Sequence, residues 1–164
     1  MRLVILGFGK FGKEIEDVAI QMGCYSEIVF LDDKINSKLS DWPTFVDDET
    51  VFFVAFGDNN MRQKWIEDIK ASNARLTNII HPTAYISPMA QIGVAVAVLP
   101  KAVVNTYCVI EDGAIINTGS IVDHDTTIGK YSHICVGAIV KADNMVPSKE
   151  RIEAGVVIER FTFQ

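Results

Sequence analysis

From Ile80 to Val146 an aliphatic residue returns at every sixth position: Ile80, Ile86, Ile92, Val98, Val104, Ile110, Ile116, Val122, Ile128, Ile134, Val140 and Val146. With Ile, Val and Leu at roughly a quarter of the chain, chance produces such a run on the order of once in a million sequences. A small or slim residue precedes the aliphatic by two places, at Ala84, Ala90, Val96, Ala102, Cys108, Ala114, Ser120, Thr126, Ser132 and Ala138. A helix repeats at 3.6 residues and a strand at 2, so neither generates this period. A coil of three short strands does, each six-residue unit forming one face of a triangular prism. Such coils stack at the strand spacing of about 4.8 Å. Residues 79–146 are therefore read as a parallel β-helix of nearly four coils. After Val140 the repeat decays: Asn144, Glu150 and the charged Ser148–Arg151 run break the small-residue slot, and 147–164 is read as a capping segment.

The first 78 residues keep a different rhythm. Arg2–Gly7 is an apolar run of strand length, and Glu27–Asp33 and Thr50–Gly57 are two more. Lys13–Gly23 is amphipathic at helical spacing and stops on glycine, while Asp58–Ser72 is a second helix with Asp58 or Asn59 as its N-cap. With the polar loop Lys34–Glu49 between them, the order is βαβ, loop, βα, about half of a doubly wound fold. The predicted fold class is thus an α/β half-Rossmann (βαβαβ-like) subdomain over 1–78, followed by the β-helix of hexapeptide repeats.

Gly7, Gly9 and Gly12 form a GxGxxG between the first strand and the first helix, where glycines let backbone amides approach a phosphate. Asp32 ends the second strand, where an acid can bind a ribose. A dinucleotide needs two such halves and the chain has one, which suits one nucleotide. A glycine turn without a ligand and an NAD-linked role are the competing readings.

Two of the three histidines, His124 and His133, lie in INTGSIVDHDTTIGKYSHICVGA (residues 116–138). They stand one and a half prism faces apart, so they do not stack within one chain, and His81 is a further two and a half coils away. No three-histidine metal site is expected. In the repeat frame Val122 points inward, His124 and Asp125 fall on a corner, and His133 points outward from a strand. A histidine beside a carboxylate suits general-base chemistry, because the acid holds one ring nitrogen protonated and leaves the other basic.

The repeat resembles that of the hexapeptide-repeat acyltransferases, and the whole chain resembles the bacterial nucleotide-sugar acetyltransferases, the sialic acid O-acetyltransferase and UDP-4-amino-sugar N-acetyltransferase family. The matching segments, in order, are VILGFGKFGKEI, FLDDK, VAFGDNNMRQK, NIIHPTAYIS and INTGSIVDHDTTIGKYSHICVGA. The resemblance implies a left-handed β-helix, a homotrimer with active sites between subunits, and acetyl transfer from acetyl-CoA to an amine or hydroxyl of a nucleotide-linked sugar for surface polysaccharide or glycan synthesis. It implies His124 as general base oriented by Asp125, with Asp123 able to share that task. Gly7, Gly9, Asp32, Asp33, Lys34 and Asn117 are implied to hold the nucleotide-sugar. His133, Gly137 and Ala138 are implied to hold acetyl-CoA. Family members usually run about two coils further. An alternative reading is therefore a trimeric scaffold that binds the nucleotide-sugar but has lost CoA binding and catalysis.

The formal charge of −6 gives no footprint for nucleic acid. No apolar run approaches the roughly 20 residues that span a bilayer. Three widely spaced cysteines without a CxxC pair point to a reducing compartment, hence the cytoplasm.

Overall fold

The computed structural model describes residues 1–164, which divide into two compact units, Met1–Ile79 and Ile80–Gln164. In the first, β1 (Arg2–Leu6), β2 (Glu27–Leu31) and β3 (Thr50–Val54) make a parallel sheet in the order β2-β1-β3. Strand β1 takes the centre because Leu3 to Leu6 are apolar on both faces, and all four are fully buried. Leu6 pairs with Leu31 and with Val54, so the three strands end level.

Helix α1 (Lys10–Met22) carries the chain from β1 to β2 and buries Gly12, Ile15, Val18 and Ala19 against the sheet. It stops at Gly23, whose φ of 68° turns its amide back onto the Ile20 carbonyl. Helix α2 (Asn59–Ala71) is capped by the Asp58 carboxylate, which accepts the Met61 amide, and buries Ile66 and Ile69. The loop read as merely polar contains a 3₁₀ helix, Leu39–Phe45, because Leu39 and Trp42 are apolar at helical spacing and go inside. The Trp42 ring meets Phe52 edge-on at 5.8 Å.

From Ile79 onward fourteen two-residue strands follow, β4 (Ile79–Ile80) to β17 (Val157–Ile158), in three parallel sheets ordered β16-β13-β10-β7-β4, β17-β14-β11-β8-β5 and β15-β12-β9-β6. Each sheet is one face of the prism. Ile116 pairs with Val98 and Ile134, Val122 with Val104 and Val140, and Ile128 with Ile110 and Val146, so every aliphatic sits above the one eighteen places earlier. These residues and the small ones between them make one continuous buried core. The expected fold class, an α/β half-fold and a parallel β-helix of hexapeptide repeats, is the one observed.

The corners obey the same period. Ala95, Lys101, Tyr107, Gly113, Gly119, Asp125, Tyr131, Gly137, Asp143, Lys149, Gly155 and Phe161 all have φ between 54° and 70°. A left-handed residue every six turns the chain from one face to the next. Non-glycine residues are strained there by about 1–2 kcal/mol, least for Asn and Asp.

The segment 147–164 departs from its expected role as a separate cap. β16 (Arg151–Ile152) pairs with β13 (His133–Ile134) and β17 pairs with β14 (Ile139–Val140), so the prism runs on to Ile158. Asn144 does not break the small-residue slot. It fills it, fully buried, donating to the Lys141 and Glu159 carbonyls and accepting the Phe163 amide. Phe163 folds back over the core and closes the end.

Candidate active site

In the first unit, β1 leads through α1 to β2 on one side, while β3 lies on its other side. The carboxyl ends of the strands therefore open onto a topological switch point, the place where such sheets bind ligands. Three turns gather there: Gly7–Gly9 after β1, Asp32–Lys34 after β2, and Ala55–Asp58 after β3. Gly7 has φ 111°, and a Cβ on it would lie 3.0 Å from the Ala55 carbonyl oxygen. A Cβ on Gly12 would lie 2.0 Å from the Gly7 carbonyl oxygen, so helix and loop touch only because Gly12 has no side chain. Gly9 is the N-cap of α1 and is exposed.

Asp32 Oδ2 accepts the Phe8 amide at 2.8 Å, and its Oδ1 accepts the Lys34 amide at 2.9 Å. Burial opposes the Asp32 charge, but those two amides and the charges of Lys34 and Lys38 together hold the carboxyl below its usual range. The structure thus brings Gly7, Gly9 and Asp32 into one crevice. Asp33 turns its carboxylate to the Leu39 amide at 3.1 Å and Lys34 is exposed.

In the second unit, the turn after β11 (Ile121–Val122) carries Asp123, His124 and Asp125. Asp125 occupies the left-handed corner at φ 54°, which swings its carboxylate back against the preceding residue. His124 Nδ1 and Asp125 Oδ2 are 2.7 Å apart. A carboxylate only accepts, so Nδ1 carries the proton and Nε2 keeps its lone pair. Half of the imidazole surface faces solvent. The Asp125 hydrogen bond raises the His124 pKa above the ordinary imidazole value, opposed by desolvation and aided by the charges of Asp123, Asp125 and Asp143.

His133, on β13, is buried, with Nε2 2.9 Å from the Asn117 side-chain amide and Nδ1 3.1 Å from Arg151 Nη1. The Thr118 amide donates to Asn117 Oδ1, which turns the Asn117 Nδ2 toward the ring. The structure therefore joins Asn117 to His133. Ala138 lies wholly inside the prism core, which leaves Gly137, an exposed corner, as the accessible member of that pair. Cys108 is buried and donates toward the Asp123 carbonyl at 3.0 Å; burial pushes its thiol pKa up. Cys135, outward in the repeat frame, is also buried. No three His, Cys, Asp or Glu side chains converge as metal ligands.

Residues 2–69 match the family model of the PglD N-terminal domain. The acetyltransferase domain of PglB from Neisseria gonorrhoeae FA1090 superposes with a TM-score of 0.74 at 28% identity, over 94% of this chain and 92% of that one. The same domain has been solved in complex with acetyl coenzyme A, with a TM-score of 0.72, 28% identity, and 95% and 92% coverage. PerB from Caulobacter crescentus, solved in complex with CoA and GDP-perosamine, superposes with a TM-score of 0.75 at 25% identity, over 97% of this chain and 92% of that one. Over nearly its whole length the chain is thus similar, at 25–28% identity, to proteins described as acetyltransferases.

Three features of this chain escape a reading of the sequence alone. Asn105 donates to Asp123 at 3.1 Å, and Arg151 reaches His133. Both pairs are eighteen residues apart, one coil, so stacking the sequence at that interval would have found them. Arg62 has no such signal. It is fully buried in α2 and donates to the Phe56 carbonyl and to Asn59 Oδ1, both at 2.8 Å, holding the turn after β3 in shape.

Proposed function

We propose that this acetyltransferase transfers the acetyl group of acetyl-CoA to the amine of a nucleotide-linked amino sugar, with His124 as general base and Asp125 orienting it. The observation that carries the reading is the 2.7 Å contact between His124 Nδ1 and Asp125, which leaves Nε2 as a solvent-facing base on a rigid corner. The amine attacks the thioester carbonyl, a C–N bond forms, and Nε2 takes the nitrogen's proton as the tetrahedral intermediate forms. Collapse then expels the CoA thiolate, which regains that proton from the imidazolium. Asp125 stabilises the imidazolium between the two steps.

An amine is preferred to a hydroxyl because Asp123, Asp125 and Asp143 surround His124 with negative charge, which attracts an ammonium before it is deprotonated. The complex of PerB with GDP-perosamine supports this choice. The nucleotide is assigned to the crevice of Gly7, Gly9, Asp32, Asp33 and Lys34. Asn117 is assigned to the sugar, and His133 with Gly137 to acetyl-CoA. Ala138 supports this only through its backbone.

The reading includes a homotrimer. Tyr85, Val103, Ile121, Ile139 and Val157 stack outward on one face across five coils, and Tyr85 and Val157 are about half exposed. An exposed apolar ladder of this kind asks for a partner surface. His124 lies on the corner that follows it, which puts the base at the seam. The cytoplasm, which keeps Cys24, Cys108 and Cys135 as the free thiols found here, is the assigned compartment. No helix is long and apolar enough to cross a membrane. Against the scaffold alternative, residues 147–158 add two more strands to the prism, and the chain spans nearly the whole acetyl-CoA-bound PglB domain.

The test is turnover of acetyl-CoA against a panel of nucleotide-linked amino sugars, read by thiol release, with His124→Ala alongside. The expected outcome is activity lowered by about 10²–10⁴-fold in the variant with an unchanged melting temperature. Full activity in His124→Ala would remove the base from this reading, and acetyl-CoA failing to bind the wild type would return the scaffold alternative.

A further inference from the structure

Asp123 is held more firmly than any other carboxylate near His124. Its Oδ1 accepts the His124 backbone amide at 2.9 Å and the Asn105 side-chain amide at 3.1 Å. Asn105 lies one coil before Asp123, so one side chain ties two coils together at the corner that carries the base. Burial opposes the Asp123 charge, but the His124 and Asn105 amides and the charge of the neighbouring His124 hold its carboxyl below the usual range.

The other charged groups facing this corner are already matched or act directly. Asp143, from the turn after β14, is clamped by Arg160, and Lys141 is paired with Glu159 at 2.6 Å. Asp125 spends one oxygen on the imidazole. Asp123 is left as a fixed negative charge next to the His124 backbone, and with Asp125 and Asp143 it favours the protonated ring.

We infer that Asn105 and Asp123 form a positioning pair for the base, in which Asn105 fixes the Asp123 carboxylate and Asp123 both anchors the His124 backbone and sets the basicity of its ring. Two carboxylates then divide the work. Asp125 selects the tautomer through the hydrogen bond, and Asp123 supplies a charge whose position the β-helix itself enforces. This rests on His124 being the base, and the two ideas fail differently.

The experiment follows the His124 ring by NMR titration in the full chain, together with the pH profile of kcat/KM, in Asp123→Asn and Asn105→Ala. Asp123→Asn keeps an oxygen acceptor for the His124 amide while removing the charge. It is expected to move the His124 titration, and the acid limb of the rate profile with it, down by roughly half a pH unit. Asn105→Ala should shift both in the same direction by less, and broaden the His124 signal as the corner loosens. An unmoved titration in Asp123→Asn overturns the proposal even if turnover falls, since a purely structural role would leave the ring's protonation alone. If Asp123→Asn melts early, Asn105→Ala decides on the same readout. A normal rate in His124→Ala would instead sink the base while leaving the titration result intact.

Discussion

The two units place their chemistry by opposite rules. In Met1–Ile79 the site is set by topology: three strands end level, the connections diverge, and whatever occupies the three turns becomes the binding surface. The turns there are individually unlike one another, and each depends on a particular close approach, such as Gly12 against Gly7. In Ile80–Gln164 every corner is the same backbone device, and function comes from which side chain a corner happens to carry. One unit is specific in its backbone and the other in its substitutions.

That contrast is sharpest at its glycines. Gly12→Ala should cost on the order of 4 kcal/mol, because the new Cβ would lie 2.0 Å from a backbone oxygen that has nowhere to go. Gly137→Ala meets nothing within 4 Å and changes only the preference for φ 65°, so its expected cost is about 1 kcal/mol. Denaturant unfolding of both variants compares them, and equal losses would break the distinction between the units. A smaller effect separates fold from function at a single corner. Asp125→Gly relieves the left-handed strain and should leave stability unchanged or raise it by a few tenths of a kcal/mol, while lowering kcat roughly ten- to hundredfold through loss of the tautomer-selecting bond. Stability and activity that fall together would mean the corner is not an independent slot.

The pH dependence follows from the same corner. The His124 pKa is raised by its Asp125 hydrogen bond, so the imidazole stays protonated to a higher pH than a free histidine. In the proposed mechanism only the deprotonated ring accepts the amine's proton, so kcat/KM should rise through a pH above the ordinary imidazole value of about 6.5 and fall away below it. An acid limb lying below that value would contradict the contact between Nδ1 and Asp125.

The period of six carries nearly all of the second unit, because every aliphatic in it, from Ile86 to Val146, points inward and pairs with its neighbours one coil away. Asn144 was illegible for a physical reason. A polar residue in an apolar slot reads as the end of a repeat, yet here its amide satisfies the carbonyls of Lys141 and Glu159 and the Phe163 amide that a further coil would have bonded. His124 with Asp125 was legible because the two are adjacent and the repeat demands neither. Asn105 and Arg151 were not, since local motifs do not look eighteen residues away. The 3₁₀ helix Leu39–Phe45 hid inside a loop because only two of its residues, Leu39 and Trp42, go inside.

The left-handed corner at every sixth residue has a consequence for how such a chain tolerates changes in length. Eighteen residues inserted between coils add one storey and return each later side chain to the face it occupied before. Six residues rotate everything above them by a third of a turn. After such an insertion between Asn105 and Asp123 the core would still be filled, yet His124 would look out over a different side of the prism. Length in this fold behaves as a phase, and the His124 corner keeps its outlook only by whole turns.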